Sequence, residues 1–463
     1  MDSRQKRIDT TRLTLALQAQ GLAAARTLAE SLQVSQPTLS RWIAQLGPAV
    51  ERIGTARHTQ YALRRNVRNL GSAWPLHRID EGGHPHTLGE LRALHGGFRF
   101  LSSGYSPVWL AREYPLGAFS GLPFFLRDSA PQGYVGRAIA RKAASNLGVP
   151  SDPRDWSDDD LLSYVLADGD DLPGNLVLGD RALEQALRRS EALPGTAIPA
   201  TDRDSVYPER AAAAQRGEVF GSSAAGEQPK FLVTVRRSGG EFVPVLVKFS
   251  AAERSPASQR WADLLLCEHI AAEVLAANGI ASVRTQVLDA GGRRFLEVER
   301  FDRTDAGGRR GAISLGAVED GLAEGIGSDW AASATLLESA GWLAADQARE
   351  LRWRWCFGDL IANSDMHRSN TSARFEDEIP FRLTPSYDML PMLHAPGAQG
   401  DLGPRVFDPR PPLPAIAAVW TEAAPAALDF WARVIAEKRI SPEFREIAQA
   451  AGATIQRMLA RFG

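Results

Sequence analysis

The run P-V-L-V-K-F-S (244–250) sets a lysine inside an otherwise apolar, strand-forming stretch, and that residue limits what the chain can fold into. An ammonium buried in a sheet is costly unless an anion is brought against it. The chain of 463 residues holds five lysines, Lys6, Lys142, Lys230, Lys248 and Lys438, and arginine serves every other basic position. A lysine inside a motif therefore stands out. The fold has to supply Lys248 with a carboxylate or a phosphate.

At roughly 100–200 residues per domain the length predicts about three folding units. An apolar fraction of 44% with mixed charge is that of a globular chain and excludes disorder throughout. No window reaches about 18 apolar residues, and the N-terminus has no apolar leader. Cys267 and Cys356 are too few and too unpatterned for a disulfide framework or a zinc site. A cytoplasmic protein without membrane contact is expected.

The net charge of −2 hides an asymmetry: residues 1–70 carry eleven Lys or Arg against four Asp or Glu, a local +7, leaving −9 for the rest. A basic head on an acidic body points to a polyanion such as DNA as the head's partner. Leu13, Leu15, Leu17 and Leu22 follow a loose helical pattern. A second helix through Leu28 and Leu32 breaks at Gln33–Ser35, and Ser35 can cap a third whose early turn tolerates Pro37. That third helix turns Leu39, Ile43 and Leu46 inward. It leaves Gln36, Thr38, Ser40 and Arg41 outward, residue types that read base edges or hold phosphates. Two strand-like runs in 50–65 flank a basic tip at 55–58 that includes Arg57, a β-hairpin wing. The segment resembles the winged helix-turn-helix of bacterial regulators. Such proteins read two half-sites, so a homodimer is expected.

Further on, G-D-L-I-A-N-S-D-M-H-R-S-N-T-S (358–372) ends an apolar lead in Asp365, with Asn370 five positions later. That is the spacing of the protein-kinase catalytic loop, whose Asp accepts the substrate hydroxyl proton and whose Asn holds magnesium. The run F-R-L-T-P-S-Y-D-M-L-P (381–391), read as a strand, brings Asp388 as a second magnesium ligand. Upstream, V-F-G-S-S-A-A-G-E-Q-P-K (219–230) is a small-residue loop suited to backbone approach to phosphates. Glu268, on a helix over 261–276, can orient Lys248, with Glu273 as its rival. The strand F-L-E-V-E-R-F-D-R (295–303) ends in a charged turn that suits a hinge clasping adenine.

The order G-E-Q-P-K, V-L-V-K, V-E-R-F-D-R, A-N-S-D-M-H-R-S-N and S-Y-D-M-L resembles the HipA family of bacterial serine/threonine kinases. L-P-F-F-L-R-D-S (122–129) and D-L-P-G-N-L-V-L (171–178) extend the resemblance to about residues 75–455, and the fused head is similar to the YjjJ-type branch. The resemblance implies an α+β fold: a winged helix-turn-helix over 1–70, a β-rich subdomain over 71–200, a kinase N-lobe and hinge over 201–311, and a mainly helical C-lobe over 312–463. It implies ATP and magnesium as cofactors and a protein substrate bearing Ser or Thr. Asp365 would be the catalytic base, Asn370 and Asp388 the magnesium ligands, and Lys248 the phosphate-binding lysine. Ser223, before Gly226, matches a serine that such kinases autophosphorylate. Lys230, Glu299, Arg300, Phe301 and His367 complete the nucleotide site, with His367 read as fixing loop geometry. In most such toxin–antitoxin systems a separate antitoxin binds the operator, and here the fused head can do so.

Two departures from the family pattern stand out: Ser369 replaces the usual lysine before Asn370, and Pro229 precedes Lys230. Ser369 keeps an alternative open, a transcription regulator whose kinase-like body only binds a nucleotide or a partner. A small-molecule kinase is a third reading, which the head and the G-E-Q-P-K and E-R-F-D-R segments disfavour.

Overall fold

Leu13, Leu17, Leu28, Leu32, Leu39 and Trp42 close a small core from three helices, Ser3–Gln20, Ala25–Leu32 and Gln36–Leu46. These belong to a computed structural model that describes residues 3–104, 106–216, 228–397 and 399–462. The second helix stops where Gln33 turns left-handed (φ 56°), and Ser35 caps the third by accepting from the Thr38 N–H. Expectation and structure differ in detail. Trp42 joins Leu39 inside while the expected Ile43 and Leu46 are only half-buried, and Leu15 faces outward. A hairpin, Val50–Ile53 with Gln60–Leu63, completes this head and adds Ala23–Ala24 at its edge.

The hairpin runs straight into the body. The His95 N–H donates to the Leu63 carbonyl (2.8 Å) and the Arg65 N–H to that of Ala93 (3.1 Å). Gly21 and Gly96 meet so closely that a Cβ on Gly21 would lie 2.9 Å from the Gly96 Cα, and both have φ above +60°. The contact is sealed by charge. Glu51 is buried among Arg64, Arg92 (2.7 Å) and Arg99 (2.9 Å), while Arg65 grips Asp159 with two bonds of 2.7 Å.

Behind the head lies an antiparallel five-stranded sheet whose long strands are Ala73–Ile79, Pro85–Leu94 and Gly97–Ser102. A second sheet joins Lys230–Arg236, Phe242–Phe249, Thr285–Ala290 and Arg293–Glu299 to the short Ile198–Pro199. The helix Pro256–Ala277, capped by Ser255, lays Leu265 against Leu296 and Val298. The C-terminal third is helical apart from its loops, with helices Trp330–Ser339, Ala345–Leu360, Ala417–Ala436 and Pro442–Phe462. Trp330, Trp342, Trp420 and Trp431 lie fully inside the core. Among the described residues no helix is long and apolar enough to cross a membrane.

The expected strand at 381–391 is not one. It makes only isolated bridges, Phe381 with Leu343, Leu383 with Ala373 and Ser386 with Ser282. Pro385 and Pro391 lack the N–H groups a ladder needs. Arg354, fully buried, holds the segment instead by donating to the Thr384 carbonyl at 2.9 Å.

Burial alone would raise the Glu51 carboxyl, but Arg92 and Arg64 outweigh it and hold it below the usual glutamate value of 4.5. A depressed folded-state value contributes stability above 4.5 that is lost as pH falls through the folded value. Glu51→Gln, which leaves three arginines facing one another, is expected to speed hydrogen exchange at 50–53 and 92–99 at neutral pH. The difference from wild type should shrink as pH falls below 4.5 and through the depressed folded value.

Candidate active site

Lys248 is delivered by the central strand of the second sheet, and Lys230 lies directly across the ladder from it. Directly opposed residues of an antiparallel pair point to one face, so two ammonium groups share that face. Both are 4% exposed. The Pro256–Ala277 helix answers with Glu268, itself buried, which takes two bonds from Lys248 Nζ at 2.7 and 2.8 Å. Asp388 takes the third. Glu273, the rival on the helix, instead faces His269 (3.6 Å) and Arg433 (3.9 Å). Burial disfavours the charged Lys248, yet Asp388 and Glu268 raise its pKa above that of a free lysine. Burial likewise works against the Asp388 carboxylate, and Lys248 and Lys230 nevertheless hold its pKa below the ordinary value. Burial dominates at Glu268, whose pKa is raised. Asp388 sits at φ 59°, a left-handed backbone costing a non-glycine residue about 1–3 kcal/mol, the kind of strain that gathers at functional sites.

The loop carrying Asp365 and Asn370 is tied from within. Asn363 Oδ1 accepts from the Asp365 N–H (3.1 Å), and Asn370 Nδ2 donates to the Asp365 carbonyl (2.7 Å). The Asn370 N–H and Trp330 Nε1 both donate to the His367 carbonyl, and the Ser369 N–H donates to His367 Nδ1. With its Nδ2 committed, Asn370 keeps its amide oxygen, and it lines the same cleft as the Asp388 carboxylate. Those are two hard oxygen donors of the kind magnesium takes when phosphates supply the rest. Among the described residues, no three His, Cys, Asp or Glu converge as metal ligands.

A cleft of about 210 Å³ gathers Lys230, Lys248, Glu268, Ser369, Asn370 and Asp388. Its apolar wall includes Leu232, Leu246, Val283 and Val298, and Phe301 stacks on Tyr387 with ring centroids 5.5 Å apart. A flat heterocycle fits such a wall.

Other expected site residues stand differently. Asp365 does not line the cleft; its side chain is 42% exposed, with His367 Nε2 3.9 Å from its carboxylate. His367 borders a neighbouring hollow. The Glu299 side chain is held by Arg237, and that of Arg300 by Asp171 (2.8 Å) and Asp302 (3.0 Å), so at the hinge only their backbone is free of these pairs. Arg368 is bound to Glu319 (2.9 Å) and Asp320 (3.1 Å) and does not replace the charge missing at Ser369. Ser223 and Gly226 lie outside the described residues, as does the Arg57 side chain.

Sequence reasoning missed three contributors. Asn363 had a signal, an Asx residue two positions before Asp365. Tyr387, in S-Y-D, gave none beyond being aromatic. Asp128, closing L-P-F-F-L-R-D-S, accepts from the Ser314 N–H (2.7 Å) and hydroxyl, and only tertiary structure brings the two together.

Residues 70–187 match the model of the YjjJ-like toxin middle domain, and residues 222–459 that of the HipA-like C-terminal domain. The chain is 36% identical over 433 residues to the toxin YjjJ of Escherichia coli (strain K12), covering 93% of this chain and 94% of that one. Among solved structures it is similar to HipA in the HipA, HipB and operator DNA complex of the Shewanella oneidensis MR-1 toxin–antitoxin system. That match has a TM-score of 0.51 and 18% identity, covers 83% of this chain and 97% of the other, and supports the fold.

Removing one partner of a buried ion pair strands the other charge, whereas removing both does not. Lys248→Met is expected to cost about 3–5 kcal/mol in urea denaturation, and Lys248→Met with Glu268→Met clearly less. Additive losses would contradict a coupled pair.

Proposed function

The chain belongs to the HipA-like toxins, in their YjjJ-like branch, and from that premise we propose that it is an ATP- and magnesium-dependent protein serine/threonine kinase with its own DNA-binding head. The observation that carries the reading is the pair of opposed lysines facing Glu268 and Asp388 beside Asn370. Two ammonium groups line the cleft, and Glu268 and Asp388 orient Lys248 before any ligand arrives. Lys248 and Lys230 bind the phosphates, and the apolar wall with Phe301 takes the base. Asn370 and Asp388 hold magnesium, which supplies charge neutralisation on the phosphates. Asp365 orients a Ser or Thr hydroxyl and accepts its proton as the hydroxyl oxygen bonds to the γ-phosphorus and the bond to ADP breaks. Strapping Asp365 through Asn363 and Asn370 fixes that geometry, and positioning contributes most in phosphoryl transfer.

The head's reading as a winged helix-turn-helix rests on the Ser35-capped helix, with Gln36, Ser40 and Arg41 exposed and Thr38 half-buried beside the 50–63 hairpin. The HipB and operator DNA in the solved relative's complex are the reason to look for an antitoxin and an operator here too. A regulator that binds nucleotide without transferring phosphate is favoured by one observation, Ser369 with Arg368 turned to Glu319. Lys230 beside Lys248 supplies the second cation that reading finds missing.

Intact mass after incubation with magnesium and ATP separates the two. Wild type should gain at least one phosphate, Asp365→Ala none, and Ser223→Ala tests the autophosphorylated position. ATP binding with no phosphate on the chain or on any screened protein substrate would select the regulator. For the head, Arg41→Ala should weaken binding to the chain's own promoter DNA and reduce the salt slope by about one. An unchanged slope would remove Arg41 from the interface.

A further inference from the structure

A hollow of about 450 Å³ adjoins the nucleotide cleft, and the two share Asp128, Gln132, Ser314 and Ser369 in their walls. Lys230, Lys248, Asn370 and Asp388 line only the cleft, whereas His367 and Arg368 of the catalytic loop line only the hollow. His367 Nε2 is 3.9 Å from the Asp365 carboxylate. The hollow thus borders the loop that carries Asp365 and excludes the lysines that would bind phosphate.

Two parts of the chain build its walls. The segment 114–132, within the residues that match the YjjJ-like middle domain, holds the helix Leu315–Leu322 at both ends. Asp128 accepts from the N–H (2.7 Å) and the hydroxyl of Ser314, the residue that caps this helix. At the other end the Tyr114 hydroxyl donates to the Gly321 carbonyl (2.6 Å), and Phe124 packs so closely that a Cβ on Gly321 would lie 2.2 Å from its ring. The helix in turn holds the catalytic loop. The Leu315 N–H donates to the Thr371 carbonyl (2.9 Å) and the Gly316 N–H to that of Arg368 (3.1 Å).

The charge in this enclosure is uneven. Arg127 is engaged by Asp158 (2.9 Å), and Arg368 is divided between the buried Glu319 (2.9 Å) and Asp320 (3.1 Å), so one arginine faces two carboxylates. Asp128 has no Lys or Arg against its carboxylate among the described residues, only the two Ser314 donors. Burial pushes its carboxyl above the ordinary aspartate value despite those bonds, and Asp320 adds to the rise. Counted with these partners, the hollow keeps two negative charges in excess, and the Asp320 side chain is 55% exposed.

Building on the kinase reading, we propose that this hollow is the acceptor subsite and that it takes a lysine or arginine side chain flanking the serine or threonine to be phosphorylated. Asp320 pairs with that cation, and Asp128 supplies the second negative charge. The volume lies in the range of ligand pockets. On this assignment the middle domain is part of the substrate site, and acceptors with acidic flanks are rejected by like charge.

Two fluorescein-labelled nonapeptides test this on the full chain, one with its single serine flanked by arginines and one with glutamates in the same places. Anisotropy reads binding, and transfer of labelled phosphate from ATP with magnesium reads chemistry. Wild type should bind the arginine peptide at least about tenfold more tightly than the glutamate peptide at low salt, and phosphorylate only the former. Asp320→Asn should weaken that binding about threefold, and Ser120→Arg, which adds a cation to the wall, at least about tenfold, with ATP affinity unchanged in both. Both positions are exposed, so neither substitution endangers the fold. Arginine-peptide binding that depends on both residues but brings no phosphate transfer supports the cationic subsite while the kinase reading fails. Equal binding of the two peptides, or a preference that neither substitution changes, overturns the proposal.

Discussion

The buried ammonium of Lys248 is the constraint around which the rest of the body is arranged. One carboxylate comes from the helix packed on its own sheet and the other from the segment that follows the catalytic loop, so the charge is balanced only when both halves are assembled. Glu268 is fixed by the helix that packs Leu265 against the sheet. Asp388 is fixed less directly, through the Arg354 anchor at Thr384, the Tyr387 ring against Phe301 and a left-handed backbone turn. The ion cluster is therefore a structural staple and, on the proposed reading, an anion site oriented in advance. A phosphate arriving there would compete for cations that the protein has already oriented.

How much of this was legible follows from which contacts are local. Lys248 could be picked out because a charged residue in an apolar strand demands an explanation, and Glu268 as one of two candidates, with Glu273 five residues on and about 140° around the helix. The opposition of Lys230 and Lys248 was legible too, though it went unread: the hairpin turns about Gly239, nine residues from each lysine. Asp388 as a partner of Lys248 was not. Its placement depends on 381–391 being an irregular strap, and an apolar run with two prolines looks enough like a strand to mislead. The Asp128–Ser314 contact and the Asp171, Arg300, Arg303 and Asp302 network join residues more than a hundred positions apart and leave no periodic trace.

The head was readable as three helices and a hairpin because a capping serine, a helix break and alternating residues are all short-range signals. Its attachment was not. The hairpin bonds directly to the body's sheet, two glycines meet at the seam, and Glu51 draws three arginines around itself. Head and body are thus joined by backbone bonds and ion pairs as well as by the chain itself.

The central claim is that the Lys248, Glu268, Asp388 and Asn370 cluster is a site for a metal-bound triphosphate. Titration calorimetry of ATP with and without magnesium, on wild type and Asp388→Asn, tests it most directly. The account predicts that magnesium tightens ATP binding to wild type by at least about tenfold and that Asp388→Asn abolishes most of this gain. ATP binding that ignores magnesium and is unchanged in Asp388→Asn would contradict it.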